Sequence, residues 1–320
     1  MIKIGTIGTS WICKNFIEVA SKNSNVNVMA CYSRSKDRAK SFIEECGIKA
    51  RAFDNFQELA NNVDAVYIAS PNGLHFEQAM YFIGQQKHVL LEKPLTLKLE
   101  ESLQLIEMAK RNRVIVMEAF KLIHTPQYDN LDEFVKKYDP FGATFSLNKY
   151  SSRMPDVKNG VYNSVFDKDL GKGSTYDMLV YPVELAVSLF GPAIEVKAMG
   201  QTLPNGVNYA DIVLLKHHSG VLTNIMCSKA ANGMIGSEIL SDEGTLYFEN
   251  LLRLNNMKLF DIAENKEYLL FTDDATDMFY YEIDVFVKMI MEEDYMLNDY
   301  LLKITAETVK ILNEVEKQTK

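Results

Sequence analysis

The sequence predicts a doubly wound α/β domain followed by an α+β domain with an open, mainly antiparallel sheet. Three observations carry that expectation. Short β-branched runs alternate with amphipathic helical patterns over the first 120 residues, the alternation stops near residues 118–124, and strand-like runs then follow one another with only turns between them.

In order, Ile2–Gly8, Val26–Tyr32, Ala65–Ala69, His88–Leu91 and Val114–Met117 are short apolar runs bounded by polar or glycine positions, the pattern of strands buried on both faces. Between them, Trp11–Ser21, Asp37–Cys46, Phe56–Ala60, Phe76–Ile83 and Leu99–Ala109 place apolar residues three and four apart, as helices on a core do. Strict alternation requires parallel strands joined by right-handed crossovers, hence a sheet with helices on both faces. After Lys121 the rhythm changes. Asn130–Lys137 and Ser174–Phe190 read as helices. Strand-like runs follow at Glu195–Met199, Ile212–His217, Val221–Cys227, Ser237–Ser241, Thr245–Glu249 and Lys258–Phe260, split by turns such as Leu203-Pro204-Asn205-Gly206. Helical patterns at Phe279–Met291 and Tyr300–Val315 close the chain.

With 47% hydrophobic and 24% charged residues, the 320-residue chain can bury two ordinary cores at roughly 150 residues each. Its net charge of −9 gives neither nucleic acid nor an anionic membrane a general attraction, so any anion must be caught locally. No run approaches the ~18 apolar residues of a membrane span, and Met1-Ile2-Lys3 lacks the regions of a signal peptide, which makes the cytoplasm the expected location. Cys13, Cys31, Cys46 and Cys227 contain no C-x-x-C pair, so neither a disulfide framework nor a metal site is expected.

The turn Gly8-Thr9-Ser10-Trp11-Ile12-Cys13 joins the first strand to the first helix. A glycine there lets backbone approach a pyrophosphate, and the helix N-terminus supplies N–H donors and partial positive charge. Against G-x-G-x-x-G only Gly8 matches, although Cys13 is small enough for close packing. Alone, an ordinary strand-to-helix turn explains it too. The second strand ends in Tyr32-Ser33-Arg34-Ser35-Lys36, without the acidic residue that holds the ribose hydroxyls of NAD. Arg34 suits a 2′-phosphate, with Ser33 adding a donor, so NADP is favoured over NAD. The alternative is a solvated loop arginine.

Glu92-Lys93-Pro94 stands at the carboxyl end of the fourth run, His88–Leu91, where open α/β sheets place ligands. Ser70-Pro71-Asn72 with His75 stands at the end of the preceding strand. Together with Ile4-Gly5-Thr6-Ile7-Gly8, Met117-Glu118-Ala119-Phe120, Asp169-Leu170-Gly171-Lys172-Gly173-Ser174, Asp177, Tyr181 and Leu189-Phe190-Gly191-Pro192, these pieces occur in the order found in the Gfo/Idh/MocA oxidoreductases, a family the chain resembles over most of its length. The resemblance implies a Rossmann domain over 1–120 and a substrate-binding and oligomerisation domain over 121–320. It also implies a homodimer, or a pair of dimers, through the open sheet. The cofactor-binding candidates are Gly8, Thr9, Ser10, Trp11, Ile12, Ser33, Arg34, Ser70, Pro71, Asn72, His75, Glu92 and Lys93. His75 either touches nicotinamide or substrate, or is satisfied by backbone.

Asp177 and Tyr181 are four apart, so one helix would present both on one face, with Pro182, which cannot donate to the ladder, marking a kink or irregularity there. Ser174-Thr175-Tyr176-Asp177 also fits a capping box, and Tyr181 also fits a partly buried aromatic. Relatives usually carry aspartate and, four residues on, histidine as acid/base; Tyr181 instead matches the branch of aldose and dihydrodiol dehydrogenases, much of which uses NADP. The resemblance therefore implies hydride transfer between a nicotinamide and a hydroxyl-bearing carbon of a sugar, polyol or cyclic diol. In that reading Lys93, Asp177 and Tyr181 are catalytic. A phenol titrates near 10, and a lysine ammonium nearby lowers that toward working pH. An inositol- or imine-type oxidoreductase of the same fold, or a non-catalytic dinucleotide-binding regulator, are the competing readings. His124 stands where relatives often have arginine and is left without a role.

Overall fold

The computed structural model describes residues 1–273 and 276–320. It divides into two units, Met1–Lys121 with Thr276–Lys303, and Leu122–Ala275 with Ile304–Lys320.

The first unit runs β1 (Ile2–Ile7), α1 (Trp11–Ala20), β2 (Val26–Tyr32), α2 (Lys36–Cys46), β3 (Arg51–Phe53), α3 (Phe56–Ala60), β4 (Ala65–Ile68), α4 (His75–Gly84), β5 (His88–Glu92), α5 (Leu99–Asn112) and β6 (Val116–Ala119). All pairings in its six-stranded sheet are parallel, in the order β3-β2-β1-β4-β5-β6. The strand order therefore reverses between β1 and β4, which opens a crevice at their carboxyl ends. Ile7, Val66, Ile68, Val89, Leu91 and Val116 from the strands share one core with Phe82 of α4 and Leu105 of α5. β3 has only three residues, one of them exposed, too few to show as an apolar run.

The second unit contains α6 (Pro126–Tyr138), β7 (Gly142–Asn148), α7 (Met154–Lys158), α8 (Gly173–Asp177), α9 (Val180–Phe190), β8 (Ala193–Thr202), β9 (Asn208–His217), β10 (Leu222–Ser228), β11 (Ser237–Leu240), β12 (Gly244–Phe248), β13 (Met257–Asp261) and β14 (Lys266–Phe271). The sheet order is β14-β13-β12-β11-β7-β10-β9-β8, antiparallel throughout except for β7 beside β10. Val213, Leu215, Ile225, Cys227 and Ile239 are buried on one face, while Met199, Ile212, Leu214, Leu222 and Met226 on β8, β9 and β10 stand exposed.

The closing helices are α10 (Phe279–Glu292) and α11 (Tyr295–Thr319). Residues 276–303, within the expected second domain of 121–320, group with the first unit. Asn15 donates to Asp277 and Asn23 to Asp284, both at 3.3 Å. Asn298 bonds both backbone groups of Val116 on the edge strand β6, and Leu302 enters the first unit's core. Amphipathic periodicity shows that such a helix needs a core and does not show which one.

Candidate active site

In the first unit the turn after β1 has the properties an anion site requires. Gly8 adopts φ +120°, and a Cβ there would lie 2.9 Å from the Ala69 carbonyl oxygen, so a side chain would have to displace the backbone just after β4. Ser10 caps α1 without a side-chain hydrogen bond, and the first turn of α1 holds no acid. The free N–H groups of that turn thus point outward without a competing carboxylate, which fits a pyrophosphate. Cys13 takes the close-packing place: it is fully buried, with Sγ 3.9 Å from the Ile7 carbonyl, and burial drives its thiol far above the ordinary range. Trp11, the chain's one tryptophan, stands 76% exposed at the head of α1, with Ile12 partly exposed beside it.

Ser33 donates its backbone N–H to Phe53, and Arg34 is exposed at the end of β2. Sequence reading missed Arg38. From the first turn of α2 its Nε donates to Thr9 Oγ1 at 3.3 Å and its Nη2 to the Thr9 carbonyl at 3.4 Å. Arg38 therefore lies against the turn after β1, while Arg34 stands just past the end of β2. The spacing of Arg34 and Arg38, four residues apart, was the available clue.

Ser70, Pro71 and Asn72 leave β4 at its carboxyl end, with Ser70 Oγ donating to Gln78. Of the two readings open for His75, the structure shows backbone contacts: the ring is fully buried, with Nδ1 2.9 Å from the Pro94 carbonyl and Nε2 3.0 Å from the Ser70 carbonyl. It ties the loop after β4 to the loop after β5. Leu95 N–H donates to Glu118 at 2.6 Å, so backbone on the far side of Lys93-Pro94 is held as well. Glu92 accepts from Tyr67 in the interior, and burial raises its carboxyl above the usual range. Lys93 itself is half-buried.

In the second unit α8 is anchored residue by residue. Ser174 and Thr175 donate to Asp211 on β9, Tyr176 donates to Glu316 on α11 at 2.6 Å, and Asp177 accepts from Lys229 just beyond β10. Ser174 thus serves Asp211 and makes no capping box. Gly173, at φ +69°, admits the approach, since a Cβ there would lie 2.2 Å from the Asn208 carbonyl oxygen. Asp177 and Tyr181 do not share one helix. Asp177 ends α8 and Tyr181 is the second residue of α9, because Pro182 has no N–H to continue the ladder and fits only a helix's first turn. Across 173–187 these two residues alone escape full burial. Lys229, only 7% exposed at its side chain, is the second residue that sequence reading missed. Burial pushes His124 down to about 4. Among the described residues no group of histidine, cysteine and carboxylate side chains is arranged to hold a metal ion, and no helix is long and apolar enough to cross a membrane.

A parallel sheet whose switch-point loops frame an uncapped helix end is the architecture of a dinucleotide-dependent enzyme. The comparisons with known proteins agree. A model for the oxidoreductase family with an NAD-binding Rossmann fold, GFO_IDH_MocA, matches residues 2–120, and the GFO/IDH/MocA C-terminal domain model matches residues 145–247. The chain belongs to the GFO/IDH/MocA family and is an NAD(P)-dependent oxidoreductase. It is 35% identical to scyllo-inositol 2-dehydrogenase (NADP(+)) IolU of Bacillus subtilis over 99% of this chain and 97% of that one. It is 27% identical to D-xylose 1-dehydrogenase (NADP(+)) 2 of Haloferax volcanii over 89% and 88% of the two chains. The solved structure of KijD10, a 3-ketoreductase from Actinomadura kijaniata, shares the fold at a TM-score of 0.86 and 20% identity, covering 100% of this chain and 98% of that one.

Proposed function

We propose that the protein oxidises a secondary hydroxyl of a polyol, foremost a cyclic polyol of the inositol type, with NADP as hydride acceptor. The observation that carries the cofactor choice is Arg38 bonded to Thr9 beside Arg34, with no acid at the end of β2. A 2′-phosphate gains charge-assisted hydrogen bonds from such a pair, and a ribose 2′-hydroxyl finds no carboxylate. The substrate class rests on the full-length likeness to an NADP-dependent inositol dehydrogenase.

Gly8, Thr9, Ser10, Trp11 and Ile12 would hold the pyrophosphate side of the cofactor, Ser33, Arg34 and Arg38 its 2′-phosphate, and Ser70, Pro71, Asn72 and the Glu92-Lys93 backbone its nicotinamide half. When bound, the cofactor supplies a hydride acceptor. Tyr181 takes the hydroxyl proton as general base, with the Lys93 ammonium favouring its phenolate form, and Asp177 accepts a hydrogen bond that orients the substrate. His75, packed between the Pro94 and Ser70 carbonyls, positions the backbone that carries Lys93.

We also assign the exposed face of the second sheet to a second copy of this chain. Met199, Ile212 and Met226 lie in one row across β8, β9 and β10, flanked by Leu214 and Leu222. Such a face is covered most simply by two-fold pairing. A reducing, cytoplasmic setting suits the free thiols. A screen of NADP and NAD reduction across inositols, aldoses and trans-dihydrodiols tests the function. NADP reduction with a cyclic polyol as the best substrate is expected, and turnover confined to aldoses, to NAD, or to no polyol at all overturns it.

A further inference from the structure

Lys229 is a buried cation that the reading above leaves without work. It follows the last residue of β10, with its backbone N–H donating to the Tyr209 carbonyl and its own carbonyl accepting from Ser151. The side chain is therefore rooted between two neighbouring segments of the second unit. Its ammonium lies 5.9 Å from the centre of the Phe166 ring, at the margin of a small apolar cluster of Met154, Val157, Phe166 and Val207. An ammonium carries three N–H donors, and among the described residues Asp177 supplies its one hydrogen-bond acceptor. Asp177 remains 32% exposed, so the pair is reached from the carboxylate side.

A buried ion pair is a poor stabiliser, because desolvation consumes much of the attraction and apolar replacements of equal volume hold a fold as well. What the pair offers is a hydrogen-bond donor and a hydrogen-bond acceptor side by side with fixed geometry. Two neighbouring hydroxyl groups present the complementary arrangement, one oxygen accepting from the ammonium while the other hydroxyl donates to the carboxylate.

We propose that Lys229 and Asp177 form a clamp for two adjacent hydroxyl groups of the substrate, which makes Lys229 a specificity-determining residue. The inference rests on the polyol reading and deepens it: the substrate must be a vicinal diol, and a related alcohol lacking one of the two hydroxyls leaves a buried donor or acceptor unpaired.

The experiment compares wild type, Lys229→Met and Lys229→Arg on the best polyol and on its monodeoxy analogues, with NADPH binding followed by Trp11 fluorescence. Wild type is expected to prefer the parent polyol over one deoxy analogue by about 10- to 100-fold in kcat/KM. Lys229→Met should raise KM for the parent by a similar factor, abolish that preference and leave NADPH affinity unchanged. Lys229→Arg should recover part of the preference. If Lys229→Met does not fold, the wild-type preference and its change in Lys229→Arg decide the matter. An undiminished preference in a folded Lys229 variant, or no preference in wild type, overturns the clamp while leaving the polyol dehydrogenase standing. Absence of polyol turnover and binding in wild type overturns both.

Discussion

Arg38 reaches from the first turn of α2 to Thr9 in the turn after β1, bonding both the hydroxyl and the carbonyl of that residue. Its guanidinium is thereby oriented by the same loop that is suited to a pyrophosphate. A second contact to Glu45 at 3.3 Å is solvent-exposed on both sides and contributes little.

Arg38→Ala is expected to weaken NADP binding by roughly 10- to 100-fold, the worth of a lost charge-assisted hydrogen bond, and to leave NAD binding within a few-fold. Arg34→Ala should act in the same direction. Quenching of Trp11 fluorescence by each reduced cofactor measures it, and equal losses for both cofactors would assign Arg38 to the fold of the turn.

The apolar row on β8, β9 and β10 predicts the oligomer. A double substitution, Ile212→Asp with Met226→Asp, places two charges where Met199, Ile212 and Met226 align. Light scattering at micromolar concentration should show a dimer or dimer of dimers for the natural chain and a smaller, folded species for the variant. A natural chain that is already monomeric refutes the assignment.

Burial sets a pH dependence at His124. Its folded pKa of about 4 lies below the unfolded value of ~6.5, so between these limits the unfolded chain binds the extra proton. The contribution is complete above pH 6.5 and is lost as pH falls toward 4. Relative to His124→Gln, the natural chain should lose on the order of 2 kcal/mol between pH 7 and 5. Urea unfolding at both pH values checks this, and parallel losses in the two proteins would mean that His124 is solvated.

Much of the first unit was legible because its strands are buried on both faces. Val26–Tyr32 and Phe56–Ala60 are both contiguous patterns that need no distant partner to be recognised. β7 was not legible: Gly142, Thr144, Ser146 and Asn148 alternate with only three apolar residues, and its neighbour β10 lies some eighty positions away. The break between α8 and α9 was readable from Pro182, whereas Lys229 was not, since nothing local marks a lysine whose partner is 52 residues distant. His75 shows the opposite limit. Its place after β4 left a ligand contact and satisfaction by backbone both open, and only the cross-loop contact to Pro94 reveals a brace.

The account turns on proton transfer by Tyr181 with help from Lys93. Steady-state NADP reduction on the best polyol, measured for wild type, Tyr181→Phe, Lys93→Met and the double variant alongside NADPH affinity, tests it most directly. Tyr181→Phe should lower turnover by about 10²- to 10⁴-fold with cofactor affinity nearly intact, and the double variant should be little worse than the more damaged single one. A Tyr181→Phe enzyme that turns over at nearly the natural rate, or losses that multiply in the double variant, would contradict the account.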